Sequence, residues 1–195
     1  KVLDDIGLEY TEKIGEAAFY GPKLDVQVKP AVGNEYTLST CQLDFCLPMR
    51  FDLTYIDSDG SKKTPVVLHR AIFGSLDRFI AYYLEETKGA LPFWLSPTQI
   101  TIVPVNNEYH LDYANNIYTE LKNLNYRVHL DDREEKLGYK LRESVVNKVP
   151  ITLILGQKEV DDNKVSYRLL GSTDTKTVSL KEFEDYISDL VNNLK

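Results

Sequence analysis

The chain has 195 residues, 43% of them hydrophobic, which is enough for one large or two small domains with buried cores. No run of 18 apolar residues occurs and no charged segment leads into an apolar core, so we expect neither a membrane span nor a secretory signal. The net charge is −7 and acidic residues outnumber basic ones in both halves, which argues against binding nucleic acid through a broad cationic surface. Cys41 and Cys46 are too few for a disulfide framework, so we expect a cytoplasmic protein with reduced thiols.

The first half of the chain predicts antiparallel strands. Residues 1–14 mix charged and apolar positions, which indicates a short helix or an irregular lead-in. Leu24, Val26 and Val28 alternate with polar residues, the period-two pattern of a half-buried strand. The chain then predicts a break at Pro30–Asn34, further strands at Tyr36–Phe45 and Phe51–Ile56, a hairpin turn at Asp57–Ser61, and a strand that ends at His69.

The stretch that follows predicts a glycine turn and a helix. Five apolar residues have the spacing that places side chains on one helix face: Leu76, Phe79, Ile80, Tyr83 and Leu84. Gly74 marks the turn and Ser75 is a candidate N-cap. Arg78 lies in the first helical turn, where the helix dipole disfavours a cation unless an anion is near. That anion is either the neighbouring Asp77, in a surface ion pair, or a bound ligand.

The second half predicts alternating strands and helices. The proline- and glycine-rich stretch Lys88–Pro97 marks a domain boundary, so we expect domains at residues 1–97 and 98–195. Strands are expected at Gln99–Val105, Tyr126–Leu130, Ile151–Leu155 and Val165–Leu169, and helices at 111–124, Leu137–Val146 and Leu180–Leu194. The last two strands are expected to pair through a hairpin at residues 161–163. The order predicts a small mixed sheet with helices on both faces, after an α+β first domain.

Four sequence blocks resemble threonyl-tRNA synthetases, which are class II aminoacyl-tRNA synthetases. They are GEAAFYGPKLD (Gly15–Asp25), STCQLDFCLP (Ser39–Pro48), HRAIFGSLDRF (His69–Phe79), which resembles motif 3, and DDREEKLGYKLRE (Asp131–Glu143). The resemblance implies a partial class II antiparallel sheet with the motif 3 helix, followed by an α/β anticodon-binding domain. It implies a threonine–tRNA ligase, which activates threonine with ATP and transfers it to tRNA. Motifs 1 and 2 have no counterpart here, so we expect the chain alone to be inactive.

The resemblance implies several binding residues in the first domain. Arg78 would lie against the adenine and γ-phosphate of ATP, whose Mg²⁺ shares the charge, and Gln42 would lie near the substrate carboxylate and α-phosphate; these are the two expected catalytic residues. Tyr20 would line the threonine pocket with Lys23 beside it, and Ser75 would add a contact. Tyr20 has the alternative of packing against its own turn. Thr37 stands where bacterial members usually carry a glutamine.

The resemblance also implies that His69 is one of three protein ligands of an active-site zinc, which binds the amino and hydroxyl groups of threonine. The other two ligands, a cysteine and a histidine, would belong to segments upstream of Lys1. Neither Cys41 nor Cys46 replaces them. We therefore expect the chain alone to be free of zinc.

In the second domain the resemblance implies anticodon-reading residues. Arg142, Glu159 and Arg168 match positions that contact bases, which they would do through edge hydrogen bonds and stacking. Glu134 stands where an asparagine is usual. Without the resemblance, Lys140, Arg142 and Glu143 indicate only a solvated helix face.

The implied partners are tRNA(Thr), ATP and threonine. The whole enzyme would be a homodimer through motif 1, so this chain is expected to be a monomer, or else to associate non-natively through exposed apolar surface. Two alternatives remain open at this point. In the first alternative, the chain is a non-catalytic tRNA-binding or regulatory module. In the second, it belongs to a paralogue that has lost activity, as the departures at Thr37 and Glu134 suggest.

Overall fold

The computed structural model describes residues 2–30, 33 and 35–194. The chain forms two compact units, Lys1–Glu86 and Thr87–Lys195. Within the predicted break at Pro30–Asn34, three residues lie outside the described ones, namely Ala31, Val32 and Asn34. No helix among the described residues is long and apolar enough to cross a membrane.

The first unit is built on a three-stranded antiparallel sheet. Its strands are β1 (Lys23–Val28), β2 (Tyr36–Asp44) and β5 (Val67–Ala71), in the order β1-β2-β5. A two-stranded hairpin, β3 (Tyr55–Ile56) and β4 (Lys62–Lys63), turns at the predicted Asp57–Ser61. The helices are α1 (Val2–Asp5), α2 (Leu47–Arg50) and α3 (Leu76–Glu86).

The predicted strand at Phe51–Ile56 is mostly wrong. The chain first forms α2, with a proline in its opening turn, where a missing N–H costs nothing. It then turns at Asp52, whose φ of 51° is left-handed, and only Tyr55–Ile56 is extended. Phe51, Leu53 and Tyr55 imitate strand alternation, yet all three side chains are exposed.

The sheet register gives the first unit's sheet one polar face. Lys23 lies opposite Gln42, and Gln42 lies opposite His69, so the three side chains share a face. Leu24 lies on the other face. The expectation that Leu24 and Val26 are buried is wrong, because both are exposed. Among the described aliphatic and aromatic residues of the first unit, only Pro30 and Pro48 are buried.

The predicted glycine turn and helix are present. Gly74 has a φ of +63°, and a Cβ on it would lie 3.3 Å from the carbonyl oxygen of Leu38. The Arg78 N–H donates to the Ser75 hydroxyl at 3.4 Å, as expected of an N-cap. On the predicted apolar face, Phe79 and Tyr83 are half-buried and stack at 5.8 Å, whereas Leu76, Ile80 and Leu84 are exposed.

The second unit is a five-stranded mixed sheet in the order β10-β9-β8-β6-β7. Strand β6 (Ile100–Pro104) pairs in parallel with β7 (Val128–Leu130) and with the central strand β8 (Ile151–Leu155), while β9 (Lys164–Leu169) and β10 (Thr175–Ser179) continue the sheet antiparallel. The helices are α4 (Asn107–Asn123), α5 (Leu137–Val146), α6 (Gln157–Asp162) and α7 (Leu180–Asn192). Helix α5 and strand β8 have the predicted bounds.

Two elements of the second unit were not predicted. Strands β8 and β9 do pair antiparallel, but α6 lies between them in place of a hairpin turn. Asn163 ends α6 with a left-handed φ of 50°. Strand β10 is an edge strand of polar residues, so hydrophobic periodicity does not reveal it.

The hydrophobic core of the second unit lies around β6 and β8. The side chains of Ile100, Ile102, Leu153 and Leu155 have relative exposures of 1% or less. Helices α4 and α7 cover this core with the buried residues Ala114, Ile117, Leu121, Phe183 and Ile187. Strand β8 is nearly all aliphatic, as expected of a strand inside a mixed sheet, and its one polar side chain, Thr152, is hydrogen-bonded to Ser144 at 2.7 Å.

Candidate functional site

A cavity of about 650 Å³ opens on the polar face of the first unit's sheet. Its size falls in the range of small-molecule sites, about 300–1,000 Å³. Of the residues predicted from the sequence, Tyr20, Gln42 and His69 line it. The strand register therefore assembles a polar pocket from side chains that are far apart in the sequence.

Tyr20 contacts the floor of this cavity. Its hydroxyl donates to Gln42 Oε1 at 2.6 Å, and its ring meets the imidazole of His69 edge-on at 5.8 Å. The segment lies directly on β2, since a Cβ on Gly21 would be 2.2 Å from the Leu43 carbonyl oxygen. These contacts place Tyr20 in the pocket rather than only against its own turn.

Lys23 is held beside the pocket by an acidic neighbour. Its ammonium donates to Asp25 Oδ2 at 2.7 Å, and the Thr40 hydroxyl donates to Asp25 Oδ1 at 2.6 Å. The hydrogen bond from Lys23, and then that from Thr40, lower the pKa of the Asp25 carboxyl despite partial burial. The Lys23 charge is thereby partly compensated by the protein itself.

The carboxylate of Asp44, which sequence reasoning missed, lies beneath His69. Asp44 is fully buried, and its Oδ2 is 2.8 Å from His69 Nε2. Burial would raise the pKa of Asp44, but the hydrogen bonds from His69 and from the N–H groups of Leu47 and Cys46 outweigh it and lower the pKa. The sequence did contain a sign of this position. Asp44 follows Gln42 by two residues in β2, and residues two apart in a strand lie on the same face of the sheet.

Ser75 and Arg78 lie apart from this pocket. Both side chains are exposed, and neither lines the cavity. The structure thus brings Tyr20, Lys23, Gln42 and His69 to one face, but leaves Ser75 and Arg78 at the start of α3. Thr37, the first departure from the family pattern, accepts a hydrogen bond from Gln27 Nε2 on β1 at 2.8 Å.

In the second unit, Glu159 connects α6 to the sheet. Its Oε2 accepts from the Gly156 N–H at 3.0 Å, and its Oε1 accepts from the Ser166 hydroxyl at 2.6 Å. Ser166 also contacts Thr177 on β10 at 2.7 Å. Burial would raise the pKa of Glu159, but these hydrogen bonds outweigh it and lower the pKa.

Arg168 shares a sheet face with this group. It follows Ser166 by two in β9 and lies opposite Thr175, to whose hydroxyl its Nη2 donates at 3.2 Å. Its Nε is buried and has no hydrogen-bond partner among the described residues. Since an unpaired buried donor is unfavourable, this guanidinium is suited to a ligand that brings an acceptor.

Arg142 and Glu134 are both exposed. Arg142 lies on α5, and Glu134 lies in the segment before it.

The predicted solvated face of α5 is wrong for Lys140, which is 2% exposed and donates to the Asp131 carbonyl oxygen at 3.0 Å. A lysine whose ammonium reaches a backbone acceptor can be buried within a helix interface. Sequence reasoning also missed an ion-pair network at this place, formed by Asp131, Arg133 and Glu143.

Within the described part of the chain, no group of three or more His, Cys, Asp or Glu side chains is arranged to hold a metal ion. Of the nitrogens of His69, Nε2 is already paired with Asp44. The described residues therefore do not by themselves fit a zinc site, which needs at least three protein ligands.

Two family models match the chain. The model described as the tRNA synthetase class II core domain (G, H, P, S and T) matches residues 1–87. The model described as the anticodon binding domain matches residues 99–190.

Among curated proteins, the threonine–tRNA ligase of Staphylococcus carnosus (strain TM300) is 53% identical over all 195 residues, and that of Staphylococcus aureus (strain JH9) is 54% identical. The chain spans about 30% of the length of these relatives. The RNA binding domain of threonyl-tRNA synthetase from Cryptosporidium parvum Iowa II matches 96% of this chain and 48% of its own, with a TM-score of 0.87 and 34% identity. A putative threonyl-tRNA synthetase, ThrRS-1 from Aeropyrum pernix, matches 97% of this chain and 45% of its own, with a TM-score of 0.74 and 27% identity.

Proposed function

Since the chain belongs to the threonine–tRNA ligase family, we propose that it supplies one wall of the amino-acid activation site and the anticodon-reading domain of such an enzyme. The catalytic part is assigned to residues 1–97 and the anticodon-binding part to residues 98–195. The proposed partners are threonine, ATP and tRNA(Thr), in the cytoplasm. The observation that carries the tRNA-binding part is the buried, unpartnered Nε of Arg168 in a unit matched by an anticodon-binding model.

In the activation site, the chain's residues act by positioning. Gln42 and Tyr20, already hydrogen-bonded to each other, would orient the amino acid at the cavity, with Lys23 at its edge. Arg78 would neutralise phosphate charge with its planar guanidinium, assisted by Mg²⁺, and Ser75 would add a hydroxyl contact. Because Ser75 and Arg78 do not line the cavity, the nucleotide would extend from the pocket toward the start of α3. We propose that this chain alone does not activate threonine.

Of the described residues, His69 is the one that would bind zinc. His69 would contribute a single imidazole nitrogen, and the remaining ligands would come from residues outside the described chain. A bound zinc would act as a Lewis acid toward the amino and hydroxyl groups of threonine.

The anticodon-reading residues act through groups that the fold holds in place. Arg168 is half-buried and would donate to a base acceptor from its guanidinium, whose Nη2 is held by Thr175. Glu159 has both oxygens engaged with Gly156 and Ser166, so it would accept a further bond only through a remaining lone pair. Arg142 and Glu134, both exposed, would contact the loop from α5 and the segment before it.

The experiment is equilibrium binding of the chain to tRNA(Thr) and to a second tRNA, at one fixed salt concentration. We expect tRNA(Thr) to bind more tightly and Arg168→Ala to weaken it by about 1–3 kcal/mol, roughly 5- to 150-fold. The matched control is Lys176→Ala, which removes one positive charge from β10 at a position opposite Tyr167, hence on the other sheet face. Equal losses in both variants would mean non-specific charge attraction and would overturn the assignment of Arg168.

A further inference from the structure

The pairing of Asp44 with His69 fixes which nitrogen of the imidazole carries the proton. We infer that Asp44 holds His69 as the Nε2–H tautomer, so that Nδ1 is the nitrogen whose lone pair the ring offers to the cavity. Asp44 is thereby a positioning residue for the proposed amino-acid pocket. The tautomer stands on geometry alone, whereas its use in that pocket rests on the proposed function.

Asp44 is the acceptor in its hydrogen bond with His69. An ionised carboxylate has no hydrogen to donate, so a ring nitrogen 2.8 Å from its oxygen must be the donor. Both hydrogen bonds to Oδ1 come from backbone N–H groups, those of Cys46 at 2.8 Å and Leu47 at 2.9 Å. Three donors thus converge on one carboxylate, which is the arrangement of an ionised acceptor.

The Asp44 carboxylate cannot turn away from His69. Its side chain has no exposed surface, and its Oδ1 is fixed at the start of α2. Oδ2 therefore has a fixed position beneath the ring. A carboxylate whose other oxygen is engaged in this way sets the orientation of its histidine as well as the tautomer.

The other ring nitrogen of His69, Nδ1, remains available to a ligand. Within the described residues no hydrogen bond reaches His69 Nδ1, although the side chain is only 41% exposed and lines the cavity. The Tyr20 ring meets the imidazole edge-on at 5.8 Å, so it limits rotation without offering Nδ1 a polar partner. A deprotonated Nδ1 can accept a hydrogen bond or bind a cation, and a protonated one can do neither.

The test is the ¹⁵N spectrum of the histidine rings in the ligand-free chain, at a pH where imidazole is neutral. Protonated and unprotonated ring nitrogens differ widely in chemical shift, so the tautomer is read directly. The chain has three histidines, and His69→Gln identifies the His69 signals. We expect a protonated Nε2 and an unprotonated Nδ1. A protonated Nδ1 in the unsubstituted chain would overturn the inference, even if no variant folds.

The decisive variant is Asp44→Asn. Its amide oxygen can still accept from the Cys46 and Leu47 N–H groups, while its NH₂ group would face Nε2 and donate to it. We therefore expect the two ring ¹⁵N shifts of His69 to exchange, with the proton moving to Nδ1. An unchanged His69 tautomer in a folded Asp44→Asn variant would overturn the inference.

Two controls separate this effect from a general disturbance. Asp25→Asn makes the same chemical change on the same sheet face, but Asp25 contacts Lys23 and Thr40 and not His69, so the tautomer should stay. His110 is an internal reference, because its Nδ1 accepts from the Asn106 N–H at 3.1 Å and should remain unprotonated throughout. Since no ligand is added, failure of tRNA binding would overturn the proposed function and leave the tautomer result unaffected.

Discussion

Glu159 has a structural role in the second unit and a proposed role in reading an anticodon base. Its carboxylate joins α6 to β9 through Gly156 and Ser166. Both contacts lie within the protein, so a change at Glu159 disturbs the fold as well as any tRNA contact. Binding data for Glu159 variants are interpretable only beside a stability measurement.

Glu159→Ala should lower the free energy of unfolding of the second unit by about 1–3 kcal/mol, because it removes the acceptor from a backbone N–H and a buried hydroxyl. Urea unfolding followed by Trp94 fluorescence measures it, since Trp94 is the only tryptophan and its Nε1–H donates to the Leu194 carbonyl within the same unit. Glu159→Gln is the control, because it keeps an acceptor of the same length and should cost less. Surface substitutions usually change the free energy of unfolding by no more than about 0.5 kcal/mol. A change of that size or smaller in Glu159→Ala would contradict the structural role of Glu159.

The same carboxylate should make the second unit sensitive to acid. Its pKa is lowered in the folded state from an ordinary value of 4.5, so the folded state binds the proton less readily than the unfolded state. The stabilisation is therefore complete above the unfolded pKa and is lost as the pH falls through the folded one. Between about pH 5 and pH 3, the unsubstituted chain should lose more stability than Glu159→Gln. Parallel pH profiles for the two proteins would contradict this.

At the scale of single residues, the sequence identified side chains that a family pattern marks and missed those that support them. Tyr20, Gln42 and His69 were named from sequence blocks and do line one cavity. Asp44 was missed because a carboxylate at the end of a strand resembles an ordinary surface residue until the strand pairing is known. Lys140 was misjudged for a related reason, since an amphipathic pattern does not show which lysine finds a buried acceptor.

At the scale of elements, the predicted bounds are right for two elements of the second unit, β8 and α5. Strand β8 has the predicted bounds because four of its five residues are isoleucine or leucine, and helix α5 has them even though its buried residues are Lys140 and Ser144. Helix α6 is six residues of mostly polar sequence, and its acidic end resembled a turn. It forms because the Glu159 carboxylate accepts from the Gly156 N–H at its start and from the Ser166 hydroxyl of β9, which are contacts that no local pattern encodes.

Helix α5 offers a direct test of backbone conformation. Gly138 lies in its first turn, has no left-handed φ, and has open space where a Cβ would be. Gly138→Ala should therefore stabilise the second unit by about 0.5–1 kcal/mol through helix propensity. Thermal unfolding monitored by Trp94 measures the shift.

Gly171→Ala is the matched control for this prediction. Its Cβ would also meet nothing within 4 Å, but its φ is +80°, a conformation that alanine adopts only with strain. We expect this variant to destabilise the unit. Destabilisation by Gly138→Ala, or equal effects of both variants, would show that φ does not decide the outcome at these two positions.

At the scale of the whole molecule, the two units differ in how they are stabilised. The second unit has a continuous core from β6 and β8 to α4 and α7, whereas in the described residues of the first unit the aliphatic and aromatic side chains, apart from Pro30 and Pro48, are exposed or only half-buried. Strand pairing and polar contacts such as those of Asp44 are what hold the first unit's sheet together. Hydrogen bonds of this kind contribute less net stability than a buried core.

Hydrogen exchange should therefore report slower amide exchange in β6 and β8 than in β1, β2 and β5, because opening the second unit exposes its core. Leu153→Ala, at a side chain with 0% exposure, should reduce protection of the second unit by about 2–5 kcal/mol. Leu24→Ala is the matched control, since its side chain is 43% exposed and the same deletion leaves no internal cavity. Equal protection of the two sheets, or equal costs for the two leucines, would mean that the first unit has a source of stability beyond its strand pairing and polar contacts.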